Sequence, residues 1–189
     1  MKPIPKNAAL VLIDIQQGFD RPGYWGVRNN PEAEANAARL LDAWRTSGRP
    51  LFHVRHLSRN PKSPLAPGQP GCEIKPQVEP RPGEAVIGKD VNSAFIGTDF
   101  EARLRAAGID TLVLAGLTTP HCVSTTARMA GNLGFRTLVA ADACAAFSQA
   151  GYDGREFGAE IVHQVALANL NGEFAEVVES TDILGNLEA

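Results

Sequence analysis

The run Thr111-Leu112-Val113-Leu114-Ala115 is apolar at alternate and intervening positions alike, with no polar side chain after its first threonine. A strand that is apolar on both faces must be covered on both. That condition is met inside a parallel sheet flanked by helices. The chain then turns through Gly116 and Pro120 and resumes with helix-compatible residues from Cys122 to about Gly134. The same alternation recurs along the chain. Ala8 to Ile13 reads as a first strand that ends at Asp14. A helix opens at Asn30-Pro31 as N-cap and first helical residue. It places Ala33, Ala37, Leu40, Leu41 and Trp44 on one face and stops at Gly48. Leu51 to His56 and Ala85 to Gly88 read as the next strands, the latter delivering Lys89. Thr98-Asp99-Phe100-Glu101 has the capping-box pattern for a helix that Gly108 ends. Phe135 to Ala140 reads as a fifth strand reaching Asp142, Arg155 to Leu170 as a helix, and Phe174 to Val178 as a sixth strand. The expected architecture is α/β: a mostly parallel sheet with helices on both faces, in one domain spanning 1–189.

Composition removes several classes of function. A hydrophobic share of 44% with 21% charged residues suits a folded core rather than a disordered chain. The net charge of −3, without a block of like charges, argues against nucleic acid or an anionic membrane as partner. Apolar runs are strand-sized, too short to cross a bilayer. The opening MKPIPKNAALVLIDIQ contains Asp14 and lacks a small-residue cleavage site, so it reads as a strand and not as a signal peptide. The three cysteines, Cys72, Cys122 and Cys144, are odd in number and show no C-x-x-C spacing. Free thiols in a reducing cytoplasm are the expectation, with neither a disulfide framework nor a zinc site.

In open parallel sheets, ligands bind beyond the carboxyl ends of the strands. Asp14, Lys89 and Cys122 each fall at or just past such an end, on three different strands. A cysteine between strand and helix sits among unpaired backbone N–H groups that favour its thiolate. Asp14 can take the thiol proton, and Lys89 can keep that carboxyl ionised. Backbone N–H groups of the turn can receive an oxyanion. Each residue also has a plainer reading: a buried inert cysteine, a turn-capping aspartate, a solvated lysine. The segment from Ser58 to Glu84, rich in proline and glycine, is too long for a simple connection and reads as a functional loop over a site.

Three blocks of sequence carry a family likeness: LIDIQQGF around Asp14, GKDVNSAFIGTDFEARL with Lys89 as its second residue, and GLTTPHCVSTTARMA around Cys122. In this order they resemble the isochorismatase-like cysteine hydrolases. That superfamily contains nicotinamidases and N-carbamoylsarcosine amidases, and LVAADACAAF fits it as well. The resemblance implies a three-layer α/β/α sandwich on a six-stranded sheet, commonly assembled as a dimer or tetramer. It implies an Asp14–Lys89–Cys122 triad, a cis peptide at Leu117–Thr118, and an oxyanion hole from the N–H groups of Thr118 and Cys122.

The expected activity is hydrolysis of a C–N bond in a small amide, carbamoyl compound or ureide through a Cys122 thioester, with no cofactor. Nicotinamidases bind a metal through an aspartate and histidines after the second strand. Here that region reads LFHVRHLS without the aspartate, and residues three apart on a strand face opposite ways, so no metal is expected. His53 then packs within the fold, and His56 lines the pocket. Phe19, Trp25, Phe95 and His121 are the other pocket candidates, with Tyr24 at the rim and Gln16 in a structural hydrogen bond. Two alternatives remain open: a vinyl ether hydrolase of the isochorismatase type that does not need the thiol, and a catalytically silent binding or thiol-sensing protein.

Overall fold

A computed structural model describes residues 1–188 of the chain. In chain order the elements are β1 (Ala9–Ile13), α1 (Ala33–Ser47), β2 (Leu51–His56), β3 (Ala85–Lys89), α2 (Phe100–Ala106), β4 (Thr111–Leu117), α3 (Ser124–Asn132), β5 (Arg136–Ala145), β6 (Gln149–Ala150), β7 (Glu156–Phe157), α4 (Ala159–Leu170), β8 (Glu176–Val178) and α5 (Ser180–Gly185). Six strands form a parallel sheet in the order β3-β2-β1-β4-β5-β8. β6 and β7 make a separate antiparallel pair.

The alternation of side chains along β1 divides the core in two. Ala9, Val11 and Ile13 pack with Phe100 and Leu104 of α2, Ala127 and Ala130 of α3, and Leu167 and Leu170 of α4. Leu10 and Leu12 face the other way, toward Leu40, Leu41 and Trp44 of α1 and Ile183 of α5. A central strand apolar on both parities therefore has helices on both sides, giving the α/β/α sandwich. Among the described residues no helix is long and apolar enough to cross a membrane.

Local details depart from the sequence expectations where side chains find partners far along the chain. α1 starts at Ala33, and Asn30 does not cap it. Asn30 instead adopts a positive φ of 43° and donates from Nδ2 to the Cys144 carbonyl at 2.8 Å. Thr98 accepts the Phe100 N–H at 3.3 Å, so the reciprocal capping box is replaced by a single turn of side-chain bonding. β5 runs on to Ala145, past the expected end at Ala140, and the stretch before α4 holds the β6–β7 pair instead of helix.

Among the contacts that hold the long Ser58–Glu84 segment down, two bear on the residues after β1. Gly71 meets Gly18 so closely that a Cβ on Gly71 would lie 2.7 Å from the Gly18 Cα, so these backbones touch. Lys75, buried, donates to Asp20 at 2.5 Å and to Glu34 at 2.7 Å. Glu34 also accepts two bonds from Arg28, at 2.7 and 2.6 Å. Burial would raise the Glu34 carboxyl, but the hydrogen bonds from Arg28 and Lys75 prevail and bring it from 4.5 to about 2.

Gly116 sits where β1 and β4 approach most closely, with φ of 135°, and a Cβ there would lie 2.0 Å from the Ile13 carbonyl oxygen. Gly116→Ala must therefore force the ends of β1 and β4 apart. It should lower the denaturation midpoint and misplace Asp14 relative to Cys122, and a variant of unchanged stability would refute that crowding. For Glu34 the folded carboxyl is the stronger acid, so its contribution is complete above about pH 4.5 and is lost as pH falls toward 2. Denaturant titrations between neutral pH and about pH 3 should show Glu34→Gln less stable than the parent at neutral pH, with the gap closing in acid.

Candidate active site

The carboxyl ends of three adjacent strands and the turn after a fourth meet at one edge of the sheet. β1 ends at Asp14, β2 at His56 and β3 at Lys89, while Cys122 lies in a wide helical turn, Thr119–Val123, between β4 and α3. Asp14 leaves β1 with φ of 52°, a left-handed conformation that aspartate tolerates better than most residues. The Lys89 Nζ donates to Asp14 Oδ2 at 2.6 Å, His56 Nδ1 at 3.2 Å and the Val91 carbonyl at 3.2 Å. An ammonium has three protons to give, and these three acceptors account for them. The side chains of Asp14 and Lys89 are both fully buried.

This arrangement fixes the remaining protons. Burial first, and the Lys89 charge second, lower the basicity of His56, which favours the neutral ring. With Nδ1 accepting from Lys89, the proton of the neutral ring is on Nε2. Burial raises the Asp14 carboxyl above its ordinary 3.8, and Lys89 opposes that rise. Asp14 Oδ1 is buried and without a hydrogen-bond partner in the fold. The Cys122 thiol is pushed up by burial and then by the Asp14 charge. Burial thus opposes the thiolate that the sequence expects its helix-end position to favour. Asp14, His56 and Cys122 each present a ligand-type atom within 4.8 Å of the others. The ammonium of Lys89 lies at hydrogen-bond distance from two of these residues, Asp14 and His56.

The turn that carries Cys122 is held by contacts within itself and by one to α4. His121 Nδ1 pairs with Thr118 Oγ1 at 3.0 Å, and Val123 N–H reaches the Thr118 carbonyl at 3.3 Å. On the inner side Thr119 Oγ1 pairs with His163 Nδ1 at 2.8 Å, and His163 Nε2 accepts from Asn30 Nδ2 at 3.3 Å. The Leu117–Thr118 peptide is cis. Gln16, fully buried, both accepts from the His56 N–H at 2.8 Å and donates to the His56 carbonyl at 3.0 Å, so it holds the end of β2.

Above Asp14 and Cys122 opens a cleft of about 380 Å³. Phe19, Trp25, His56, Thr118 and His121 line it, as does Tyr24 at the rim. Phe19, Trp25 and Phe147 form one aromatic wall, with ring centroids 4.8 Å apart for Phe19–Trp25 and 6.1 Å for Phe19–Phe147. Trp25 is oriented by its indole N–H, which donates to the Gly18 carbonyl at 2.8 Å. Phe95 does not join the lining. Its ring packs on Phe100 at 4.9 Å and Phe135 at 6.0 Å, because the chain after Lys89 turns toward the α2 core. Asn92, Phe147, Ser148, Gln149 and Leu65 also line the cleft and lie outside the expected set. For three of them a signal exists, since residues 147–149 follow the carboxyl end of β5. His53 pairs with Glu84 at 3.0 Å, away from the cleft. Cys72 and Cys144 are buried free thiols outside the cleft lining.

Comparison with known proteins gives a consistent picture. The isochorismatase domain model matches residues 8–182. The uncharacterised isochorismatase-family protein YrdC of Bacillus subtilis is 42% identical over 181 residues, covering 96% of each chain. Maleamate amidohydrolase of Pseudomonas putida is 33% identical over 149 residues, covering 71% of this chain and 70% of its own. The crystal structure of an isochorismatase-family protein from Chromobacterium violaceum superimposes with a TM-score of 0.94 at 51% identity, covering 98% of this chain and 97% of that one.

The buried ion pair makes a prediction independent of any substrate. Lys89→Met strands the Asp14 carboxyl, which should cost about 3–5 kcal/mol at neutral pH. The orphaned carboxyl would bind a proton more tightly folded than unfolded, so stability should recover as pH falls. Asp14→Asn combined with Lys89→Met should restore part of the loss. Equal stability of the single variant and the parent by denaturant titration would contradict the pairing.

Proposed function

Because the chain belongs to the isochorismatase family, we propose that it is a cysteine hydrolase cleaving the C–N bond of a small amide, carbamoyl compound or ureide. The observation that carries this reading is the buried Asp14 carboxyl, which brings an oxygen within 4.8 Å of the Cys122 Sγ while Lys89 holds Oδ2 and Oδ1 has no hydrogen-bond partner in the fold. A buried carboxylate so divided has one oxygen for charge balance and one for proton transfer.

With substrate in the cleft, Asp14 Oδ1 takes the Cys122 proton as Sγ attacks the carbonyl carbon. The carbonyl oxygen gains negative charge, and the Thr118 and Cys122 backbone N–H groups receive it. Protonated Asp14 gives its proton to the nitrogen, the C–N bond breaks, and the amine leaves a Cys122 thioester. A water then loses a proton to Asp14 and adds to the thioester carbon. Collapse of that second adduct releases the acid and returns the proton to Sγ. Lys89 keeps its proton throughout and offsets the charge on Asp14 whenever that carboxyl is ionised. Its three fixed acceptors suit that role better than proton transfer.

Replacing the nucleophile separates this chemistry from thiol-independent ether hydrolysis. Cys122→Ala should lower ammonia release from a responsive amide by at least about three orders of magnitude. Acid-quenched parent enzyme should carry an acyl mass adduct on Cys122. Full turnover by the alanine variant would overturn the thioester mechanism. Since Asp14 must be ionised to act and burial raises its pKa, the rate should climb with pH through a step lying above 3.8. A pH–rate profile with no acid limb above that value would exclude Asp14 as the base.

A further inference from the structure

We infer that the cleft selects substrates whose acyl portion is uncharged and apolar, an aryl or alkyl carboxamide rather than the monoamide of a dicarboxylic acid. This deepens the proposed amide hydrolysis and rests on it. Among the described residues that line the cleft, none is lysine or arginine. The one formal charge in the lining is Asp14, and Lys89 balances it at 2.6 Å from behind, with its remaining protons committed to His56 and Val91. His56 is driven toward its neutral form by burial and by Lys89. At the rim, Arg21 lies 5.6 Å from the centroid of the Tyr24 ring and is itself outside the lining.

A carboxylate entering this cleft would lose water against Phe19, Trp25 and Phe147 without gaining a counter-ion. It would also stand near Asp14, and near a second negative charge once the oxyanion forms. An uncharged ring or alkyl chain has no such cost and gains the burial of its apolar surface on the same wall. The maleamate amidohydrolase relative acts, by its name, on a substrate that carries a carboxylate. Among the described residues that line this cleft, Asn92, His121, Ser148 and Gln149 offer hydrogen bonds but no lysine or arginine offers a counter-charge, so the two should differ in specificity while sharing chemistry.

Matched pairs of amides test the inference: benzamide against 4-carbamoylbenzoate, and butanamide against succinamate, with ammonia release read as kcat/KM. The neutral member of each pair should be favoured by about 100-fold or more, the scale of an unpaired charge removed from water. Trp25→Ala should raise KM for benzamide more than for butanamide. Binding of the same amides to Cys122→Ala by calorimetry gives a readout that does not need turnover, and the neutral member should again bind more tightly. Equal or better use of the anionic member would overturn the charge rule and leave the hydrolase reading standing. If no amide yields ammonia or an acyl adduct, the hydrolase reading fails, and calorimetry still decides the charge preference of the cleft.

Discussion

The Lys89–Asp14 ion pair closes the sheet edge on which everything else is arranged. β3 and β1 are not neighbours in the sheet; β2 lies between them, and the pair spans its end beside His56. Removing two charges from water is costly, and a 2.6 Å contact offsets that cost only if both groups stay in register. Their pairing therefore locks three strand ends to one another. The lock also determines protonation. One carboxylate oxygen is committed to the ammonium, the other is left without a partner in the fold, and the imidazole is given a defined tautomer.

Around this pair the fold is built for orientation. Gln16 brackets the His56 backbone with two hydrogen bonds, and the Cys122 turn is closed on itself by the Thr118–His121 contact and tied to α4 through Thr119 and His163. Thr118 and Thr119, consecutive residues, face opposite anchors. Gly116 supplies the complementary constraint by letting β1 and β4 approach where a side chain would hold them apart.

Much of this is legible in the sequence because it follows from strand ends. Asp14, Lys89 and Cys122 are chemistry-bearing residues at the ends of apolar runs, and parallel-sheet geometry collects such ends. His56 and His53 separate on strand parity alone, one toward Lys89 and the other toward Glu84. Phe95 misleads because proximity to Lys89 in sequence says nothing of direction after a turn, and its large ring finds the α2 core instead. Phe147, Ser148 and Gln149 escape notice because β5 continues through Asp142 and a run of small residues, so the apolar pattern understates where its carboxyl end lies. The state of the thiol is illegible for a different reason. Helix-end donors can be read from position, whereas desolvation depends on packing from distant segments.

The contact between Gly18 and Gly71 has an implication for how such an enzyme could diversify. Phe19 and Trp25 do not stand on the strands that carry the reactive groups. They stand on a short turn braced by the long Ser58–Glu84 segment, through that glycine contact and the Lys75–Asp20 pair. Substitutions at Gly71 or Lys75 would reach the aromatic wall through contacts that do not include the Lys89–Asp14 pair. The wall and the ion pair thus rest on different stretches of chain, which leaves the shape of the cleft and the geometry of its buried charges open to separate change.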